Sequence, residues 1–322
     1  MRLNRDLLLG AVIVVMLIAV GILTPSFVSP GNLVGLVNDT AILLMMALAQ
    51  MTVILTKCID LSVAANIAFT GVVVALLNAA APGLPIPLLM LIAAGIGLVL
   101  GAFNGAMVWL LSIPSIVVTL GTLSIYRGLA FLASGGTSIT GRQMSPDFIQ
   151  VPRAEFLGLP AMSWFAIAIV VVFAILMRVT RTGRAFFAAG GNPTAAVYAG
   201  INVGRTQFIA FCISGAVAGF CGYLWVSRYT IAYVDIAGGF ELSVIAACVI
   251  GGVSISGGIG TVTGAVLGAV FFNLIKNALP VIHVSPFWQL AISGAAILAA
   301  VIINSARERQ AGRVILREAV AK

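Results

Sequence analysis

A long uncharged stretch is the feature that most constrains the fold of this chain. No Asp, Glu, Lys or Arg occurs between Leu61 and Tyr126, and a membrane-spanning helix needs about 20 predominantly apolar residues. The stretch is therefore long enough for several spans, and the Gly and Pro residues of Pro82–Pro87 and Ser112–Ser115 divide it into three. Its apolar runs are continuous, whereas a membrane barrel shows alternating segments of about 10 residues.

The composition supports the same conclusion for the whole chain. Hydrophobic residues make up 61% and charged residues 8% of its 322 residues, whereas soluble domains carry about 25% charged residues. A soluble protein with so few charges could not cover its surface. We predict an all-α, polytopic transmembrane helical bundle of about ten spans, some of them broken or re-entrant, in a single domain that covers residues 1–322.

The basic residues follow the pattern of a multi-pass protein of the bacterial cytoplasmic membrane. If the N-terminus is inside, the inner face receives the N-terminal arginines, Lys57, the arginine-containing segment 178–205 and the basic tail 305–322. The charges of loop 134–160 balance one another on the outer face, which agrees with the positive-inside rule. We therefore predict that both termini are cytoplasmic. The net charge of +8 then reflects topology, and we expect no nucleic-acid partner.

Segment 178–205 contains a compact helix signal. Asn192 is a suitable N-cap because its side chain can accept from free N–H groups of the first turn. Pro193 follows where proline is tolerated, and Gly200 suits the residue after a helix end. The pattern predicts a helix of roughly two turns inside a basic cytoplasmic loop. A short capped helix at a membrane surface is suited to bind another protein.

The chain lacks the sequence motifs of an enzyme. Gly251–Gly258 is rich in glycine but contains no lysine, so it cannot hold a nucleotide as a phosphate-binding loop does. HExxH and GxSxG motifs are absent. We expect no catalytic residue, no metal site and no cofactor in this chain. The few acidic residues lie near predicted span ends, so we also expect the energy source for transport to reside on another chain.

The predicted interior does contain polar groups that could hydrogen-bond the hydroxyls of a neutral solute. Helix–helix hydrogen bonding is the alternative role for each of them, and the sequence leaves both open. These candidates for the solute pathway are Gln50, Asp60, Ser62, Asn66, Asn104, Thr119, Glu241 and Asn273.

Two further patterns concern helix packing. Glycines recur every four residues and predict close approach of helix backbones; they are Gly97, Gly101 and Gly105, Gly215 and Gly219, and Gly264 and Gly268. Residues 42–78 also resemble residues 242–277 in rhythm, each with a break between two apolar spans, at Ile59–Ser62 and Gly258–Thr261. Transporters often contain such repeats, and chance similarity between apolar segments remains the alternative.

Three segments resemble the signature segments of permeases from ribose-type ABC sugar importers. They are AAGGNPTAAVYAGINV at 188–203, ILTKCIDLSVA at 54–64 and FELSVIAACVIGGVSISGGIGTVTGAVLGA at 240–269. The likeness extends in order over nearly the whole chain. It implies a membrane-spanning subunit of about ten helices that pairs with a second copy or a paralogue. A self-contained, ion-coupled secondary transporter or channel is the alternative, and it would need no partner chain.

The resemblance also implies partners and a coupling site. A cytoplasmic ATP-binding subunit that carries ATP and Mg would dock on the helix after Asn192, and a periplasmic or lipid-anchored sugar-binding protein would deliver the solute. The coupling role carries over to Gly190, Gly191, Asn192, Ala195, Ala196, Gly200 and Ile201. Where the family usually has glycine, this chain has Cys58 and Ala64, so the solute stays open among pentoses, deoxyhexoses, polyols and furanose-like signalling molecules.

Overall fold

The computed structural model describes residues 5–281 and, beyond them, residues 284, 285, 288, 291, 294, 295 and 298. Eight of the helices below are long and apolar enough to cross a membrane, namely all except α6, α8, α9 and α11. In chain order the helices are α1 (Arg5–Leu23), α2 (Pro30–Leu55), α3 (Val63–Ala80), α4 (Ile86–Leu110), α5 (Ser115–Ser134), α6 (Pro146–Gln150), α7 (Ala161–Val179), α8 (Arg181–Gly191), α9 (Pro193–Tyr198), α10 (Val203–Tyr229), α11 (Phe240–Ile250) and α12 (Val262–Val281).

The uncharged stretch forms three helices, as its punctuation predicts. Helix α3 ends before the Pro82–Pro87 segment, and α4 ends just before Ser112, which has a left-handed φ of 55°. Pro114 is the N-cap of α5. The prediction of a helical polytopic bundle is thereby confirmed for the described residues. The basic tail 305–322 lies outside them.

Helices α4 and α10 meet backbone to backbone through glycines. A Cβ placed on Gly97 would lie 2.2 Å from the carbonyl oxygen of Gly215, and one on Gly101 would lie 2.2 Å from that of Phe211. A Cβ on Gly219 would lie 2.1 Å from the carbonyl oxygen of Ala93. The predicted role of these glycines in close packing is confirmed. Without side chains between them, the two helices gain dispersion contacts that lipid does not offer.

Backbone contacts through glycines also join α11 to α12. A Cβ on Gly264 would lie 2.1 Å from the carbonyl oxygen of Gly251, and one on Gly268 would lie 2.0 Å from that of Ala247. Helix α11 has 11 residues, or about 16 Å at 1.5 Å per residue, which is about half of a bilayer core. It is therefore a short helix, in agreement with the predicted broken or re-entrant elements.

The segment before α11 enters the bundle. Ile236 is buried and its Cδ1 lies beside Gly71, which is in the middle of α3. Arg127 of α5 holds this segment by donating hydrogen bonds to the carbonyl oxygens of Val234 and Ile236, the latter at 2.8 Å. Its guanidinium also lies 3.6 Å from the carboxylate of Asp235. The irregular backbone at this depth thus has a cationic partner.

The loop predicted between α5 and α7 has its own structure. Four two-residue strands lie in or beside it, so the fold is not helical throughout: β1 (Ile139–Thr140) pairs with β4 (Ile231–Ala232), and β2 (Glu155–Phe156) pairs with β3 (Leu159–Pro160). The side chain of Asn78 exchanges two hydrogen bonds with Ser145, at 2.9 and 2.8 Å. The loop is therefore fixed to the end of α3.

The described charges separate between the two ends of the bundle. One end, which we refer to as the α9 end, carries α9 and more basic than acidic groups: Arg5, Lys57, Arg178, Arg181, Arg184 and Arg205 with Asp6 and Asp60. The opposite half carries basic and acidic groups in balance: Arg127, Arg142, Arg153, Arg228 and Lys276 with Asp39, Asp147, Glu155, Asp235 and Glu241. This asymmetry is the one that the positive-inside rule requires.

Candidate functional site

Helix α9 forms as its local sequence predicts. The Asn192 side chain accepts a hydrogen bond from the Ala195 N–H at 3.0 Å, and Pro193 occupies the first helical position. Gly200 follows the helix with a left-handed φ of 79°, a conformation that costs glycine little. The Ile201 N–H then donates to the Ala196 carbonyl at 2.9 Å. The helix is therefore capped at both ends by backbone and side-chain hydrogen bonds.

The exposure of α9 defines the face that a partner can touch. Tyr198 is 89% exposed and Val197 is 60% exposed, whereas Ala196 is only 3% exposed. Ala196 thus packs against this chain itself, and of the two alanines in the coupling prediction only Ala195 is exposed. Tyr198 and Val197 were absent from the prediction, although two large apolar side chains on a surface helix would have been a usable signal.

The other residues of the predicted coupling site lie just before and just after α9. Asn192 and Gly200 are exposed, and Ile201 is half-buried. Gly191 is exposed as well, but Gly190 is buried. Helix α8, which precedes them, was not predicted. Its N-cap is Thr180, whose hydroxyl accepts from the Gly183 N–H at 3.0 Å.

Four of the predicted pathway residues lie close together at the break between the end of α2 and the start of α3. Asp60 accepts hydrogen bonds from the backbone N–H and the hydroxyl of Ser62, at 2.9 and 2.6 Å. The Asn104 amide donates to the Ser62 hydroxyl at 2.8 Å. The Thr119 hydroxyl donates to the carbonyl oxygen of Ile59 at 3.2 Å. The break between α2 and α3 is thus hydrogen-bonded to both α4 and α5.

Tyr126 extends this network and was not predicted. Its hydroxyl donates to the Asn104 side chain at 3.2 Å and to the Leu100 carbonyl at 2.8 Å. Asp60 is 2% exposed, and burial raises the pKa of its carboxyl from 3.8 to about 6 because desolvation disfavours the charged form. The two hydrogen bonds from Ser62 act in the opposite direction. The network is therefore buried and contains one carboxyl group whose pKa is raised by burial.

A cavity of about 630 Å³ borders this network at the α9 end. Its lining includes Lys57, Cys58, Trp109, Ser115 and Gln207. The hydroxyl of Ser115, one of these lining residues, also accepts from the Ile59 N–H at 3.1 Å. The break between α2 and α3 therefore forms part of the cavity wall.

Gln50 and Asn66 are also buried, and their amides have hydrogen-bonding capacity left over. Neither the oxygen nor the nitrogen of the Gln50 amide has a partner among the described residues, and the Asn66 oxygen also lacks one there. The Asn66 nitrogen reaches the carbonyl oxygens of Gly97 and Gly215, at 3.2 and 3.4 Å. The neighbouring Ser214 hydroxyl is a third buried group without a described partner.

The last two pathway candidates, Glu241 and Asn273, lie apart from this network. The Asn273 amide donates to the Thr40 hydroxyl at 2.9 Å, a contact between α12 and α2. Glu241 is in the first turn of α11, and one of its carboxylate oxygens is buried with no hydrogen-bond partner in the described part of the chain. The structure thus joins four of the eight candidates, and the other four have no described hydrogen bond to that group.

Residues 32–301 match the protein family described as the branched-chain amino acid transport system / permease component. The chain belongs to this family. It is 37% identical over 312 residues to the probable ABC transporter permease protein y4mJ of Sinorhizobium fredii, a match that covers 97% of this chain and 92% of that protein. The described helices and the family together identify a multi-pass protein of the bacterial cytoplasmic membrane.

Two other relatives are named for a solute. The autoinducer 2 import system permease protein LsrC of Salmonella typhi is 33% identical over 301 residues, covering 94% of this chain and 86% of that protein. The L-arabinose ABC transporter permease protein AraH of Azospirillum brasilense is 34% identical over 302 residues, covering 93% and 87%. No solved structure matches the chain. The resemblance to ABC importer permeases is confirmed: the chain is a permease component of such a transporter, in which the ATPase is a separate subunit.

Proposed function

We propose that this permease imports a monosaccharide or a related small polyhydroxy solute at the expense of ATP hydrolysed by its partner subunit. The observation that carries the proposal is the near full-length similarity to AraH, which is named for L-arabinose. The neutral amides of Gln50 and Asn66 in the buried interior support it, because amides match the hydroxyls of an uncharged solute. A second permease copy or paralogue and a solute-binding protein complete the proposed importer.

Uptake by the reconstituted importer tests the solute class. The permease is co-expressed with a candidate ATPase subunit and a candidate binding protein, and the complex is placed in liposomes loaded with ATP. We expect uptake of labelled L-arabinose or a related sugar and no uptake of L-leucine, the control suggested by the family description. Uptake of L-leucine alone would overturn the proposed solute class. Ion-driven uptake by the permease without the ATPase would establish the alternative of a secondary transporter.

We further propose that α9 is the cytoplasmic docking element for the ATPase, within the coupling loop 178–205. Its exposed face, with Tyr198 and Val197, offers apolar contact area beside a basic surface. Replacing Tyr198 by Glu puts a charge on this face without disturbing the permease interior. We expect the ATPase to be lost on co-purification, whereas Phe156→Glu, an equally drastic change at an exposed residue near the opposite end, retains it. Retention of the ATPase by Tyr198→Glu contradicts this assignment.

Gln50 and Asn66 are the proposed solute ligands, because their amides retain unused hydrogen-bonding capacity. The Asp60, Ser62, Asn104 and Thr119 group positions the break that borders the cavity, and we assign it a place along the pathway with Glu241 and Asn273. Replacing Gln50 by Leu separates the two roles. A packing role predicts higher stability and unchanged uptake, since an unpaired buried amide costs about 1–3 kcal/mol. A solute ligand predicts the same gain in stability with a higher KM for uptake.

A further inference from the structure

Three segments meet at the α9 end of the bundle. They are the end of α8, the end of α2 and the turn 251–261 between α11 and α12. The Gly258 N–H donates to the carbonyl oxygen of Leu55, the last residue of α2, at 2.9 Å. The end of α2 leads into the predicted break Ile59–Ser62. The turn 251–261 contains the other predicted break, Gly258–Thr261.

The contacts at this meeting point are made by backbone atoms. A Cβ on Gly190 would lie 1.7 Å from the Leu55 carbonyl oxygen and 2.7 Å from the Gly258 nitrogen. A Cβ on Gly258 would lie 2.4 Å from the Cα of Gly191, and Gly258 also has a left-handed φ of 73°. Flexible side chains between two elements can absorb a small displacement by changing rotamer. Backbone in direct contact has no rotamer to change, so a displacement of one segment presses on the other.

Helix α9 follows the end of α8 directly, and hydrogen bonds at Asn192 join the two helices. The Asn192 N–H donates to the Ala188 carbonyl at 3.2 Å, which closes α8, and the Asn192 side chain caps α9. Ala196 is buried against the rest of the chain. A force applied to the exposed face of α9 therefore reaches Gly190 through a short, hydrogen-bonded corner.

We propose that Gly190 and Gly258, with the Leu55 carbonyl, form a glycine junction that transmits displacement of α9 to both helix breaks at once. The proposal rests on the docking role of α9 proposed above and assigns the two glycines as positioning residues for transport. On one side, the junction moves the break 56–62, whose Lys57 and Cys58 line the cavity. On the other side, it moves turn 251–261 and with it the start of α12.

A second contact links the two breaks to each other. A Cβ on Gly257 would lie 2.5 Å from the Cγ of Lys57 and 3.2 Å from the Cα of Gly190. The turn 251–261 thus lies against the residue that opens the break after α2. Because both breaks touch each other and α8, an inward or outward shift of α8 changes the cavity wall and the α11–α12 corner together.

Replacing Gly258 by Ala tests the junction in the complete importer. The added methyl group forces Gly191 and Gly258 apart, whereas Gly158→Ala adds the same group at another glycine with left-handed φ, 76°, where no atom lies within 4 Å. We expect the Gly258 variant to retain the ATPase on co-purification and to hydrolyse ATP, while uptake of labelled sugar falls at least tenfold. Gly158→Ala should retain uptake, because it carries the same backbone penalty without the contact. Normal uptake by an assembled Gly258→Ala complex overturns the proposal.

Hydrogen–deuterium exchange on the unmodified complex keeps the test valid if the variant does not fold. We expect trapping with ATP and vanadate to change exchange in peptides that cover 188–201, 55–62 and 251–261 together. A change confined to 188–201 overturns the junction while leaving α9 as the docking element. No change at 188–201, with the ATPase bound elsewhere, instead overturns the docking role on which the junction depends.

Discussion

Leu157 adopts a backbone conformation that its side chain disfavours. It forms, with Gly158, the two-residue turn between β2 and β3, and both residues have positive φ, 49° and 76°. Turns of this type prefer Asn-Gly, because asparagine tolerates the left-handed region better than leucine does. Leu157 is also 75% exposed, so its side chain gains little from packing. The turn is therefore a place where one residue limits local stability.

We expect Leu157→Asn to stabilise the protein by roughly 0.5–1 kcal/mol, since the left-handed conformation costs an ordinary residue about 1–2 kcal/mol. Thermal unfolding in detergent measures the change. Leu157→Ala is the matched control, because it removes the same exposed side chain but keeps the backbone penalty. Equal stabilisation by Ala and Asn would show that exposed apolar surface, rather than backbone strain, is responsible.

Asp60 provides a second prediction at the scale of a residue. Because burial raises its pKa from 3.8 to about 6, the folded protein binds this proton more tightly than the unfolded chain. The contribution of Asp60 to the free energy of unfolding is therefore greatest below about pH 4 and is lost as the pH rises through about 6. Asparagine keeps an oxygen that can accept from Ser62 but carries no charge.

We expect the stability difference between Asp60→Asn and the wild type to grow in favour of the variant between about pH 4 and about pH 6 and to be constant above. Other titrating groups are common to both proteins and cancel in the difference. Thermal unfolding in detergent at a series of pH values measures it. A difference that does not vary with pH contradicts the raised pKa.

The polar residues show how far single positions can be predicted. Sequence position placed Asn104 and Asn273 inside the bundle, and both are buried. Their partners, Ser62 and Thr40, lie on other helices and depend on rotation and register, which the sequence does not specify. Tyr126 was missed because a lone tyrosine in an apolar run has many possible partners. Burial was thus predictable, while pairing was not.

At the scale of the element, the glycine contact between α4 and α10 gives the clearest prediction. Gly97→Ala places a methyl group 2.2 Å from the Gly215 carbonyl oxygen and must separate the helices. We expect a loss of stability on the order of 1–3 kcal/mol. Gly95→Ala lies on the same helix, where no atom is within 4 Å, and should leave the thermal unfolding temperature nearly unchanged. Similar losses for both variants would contradict an interface-specific effect.

Helices α8 and α9 show which elements a sequence can specify. Helix α9 was predicted because its signals are local: a capping Asn192, a proline after it and a glycine at its end. Helix α8 contains three glycines and has weak intrinsic propensity. It depends on tertiary contacts, such as the approach of Gly183 to the Leu176 carbonyl and the burial of Phe186. Such contacts are not visible in the segment itself.

At the scale of the whole molecule, the charge asymmetry predicts which residues face the cytoplasm. Single cysteines at Tyr198 and at Leu157, both highly exposed, test it with a membrane-impermeant maleimide. The native cysteines are buried or half-buried and can be replaced beforehand. We expect Tyr198→Cys to react only in inside-out vesicles and Leu157→Cys only in right-side-out vesicles. The reverse pattern would invert the proposed topology, and labelling of both from one side would reject it.

The direct contact between α4 and α10 also constrains the order of assembly. Helix α4 leaves the ribosome long before α10, which begins at Val203. Until then, the glycine face of α4 has no partner helix and lies against lipid or against the insertion machinery. The central interface of the permease therefore forms late in synthesis. A pause or truncation before α10 leaves an N-terminal half without the helix against which α4 packs.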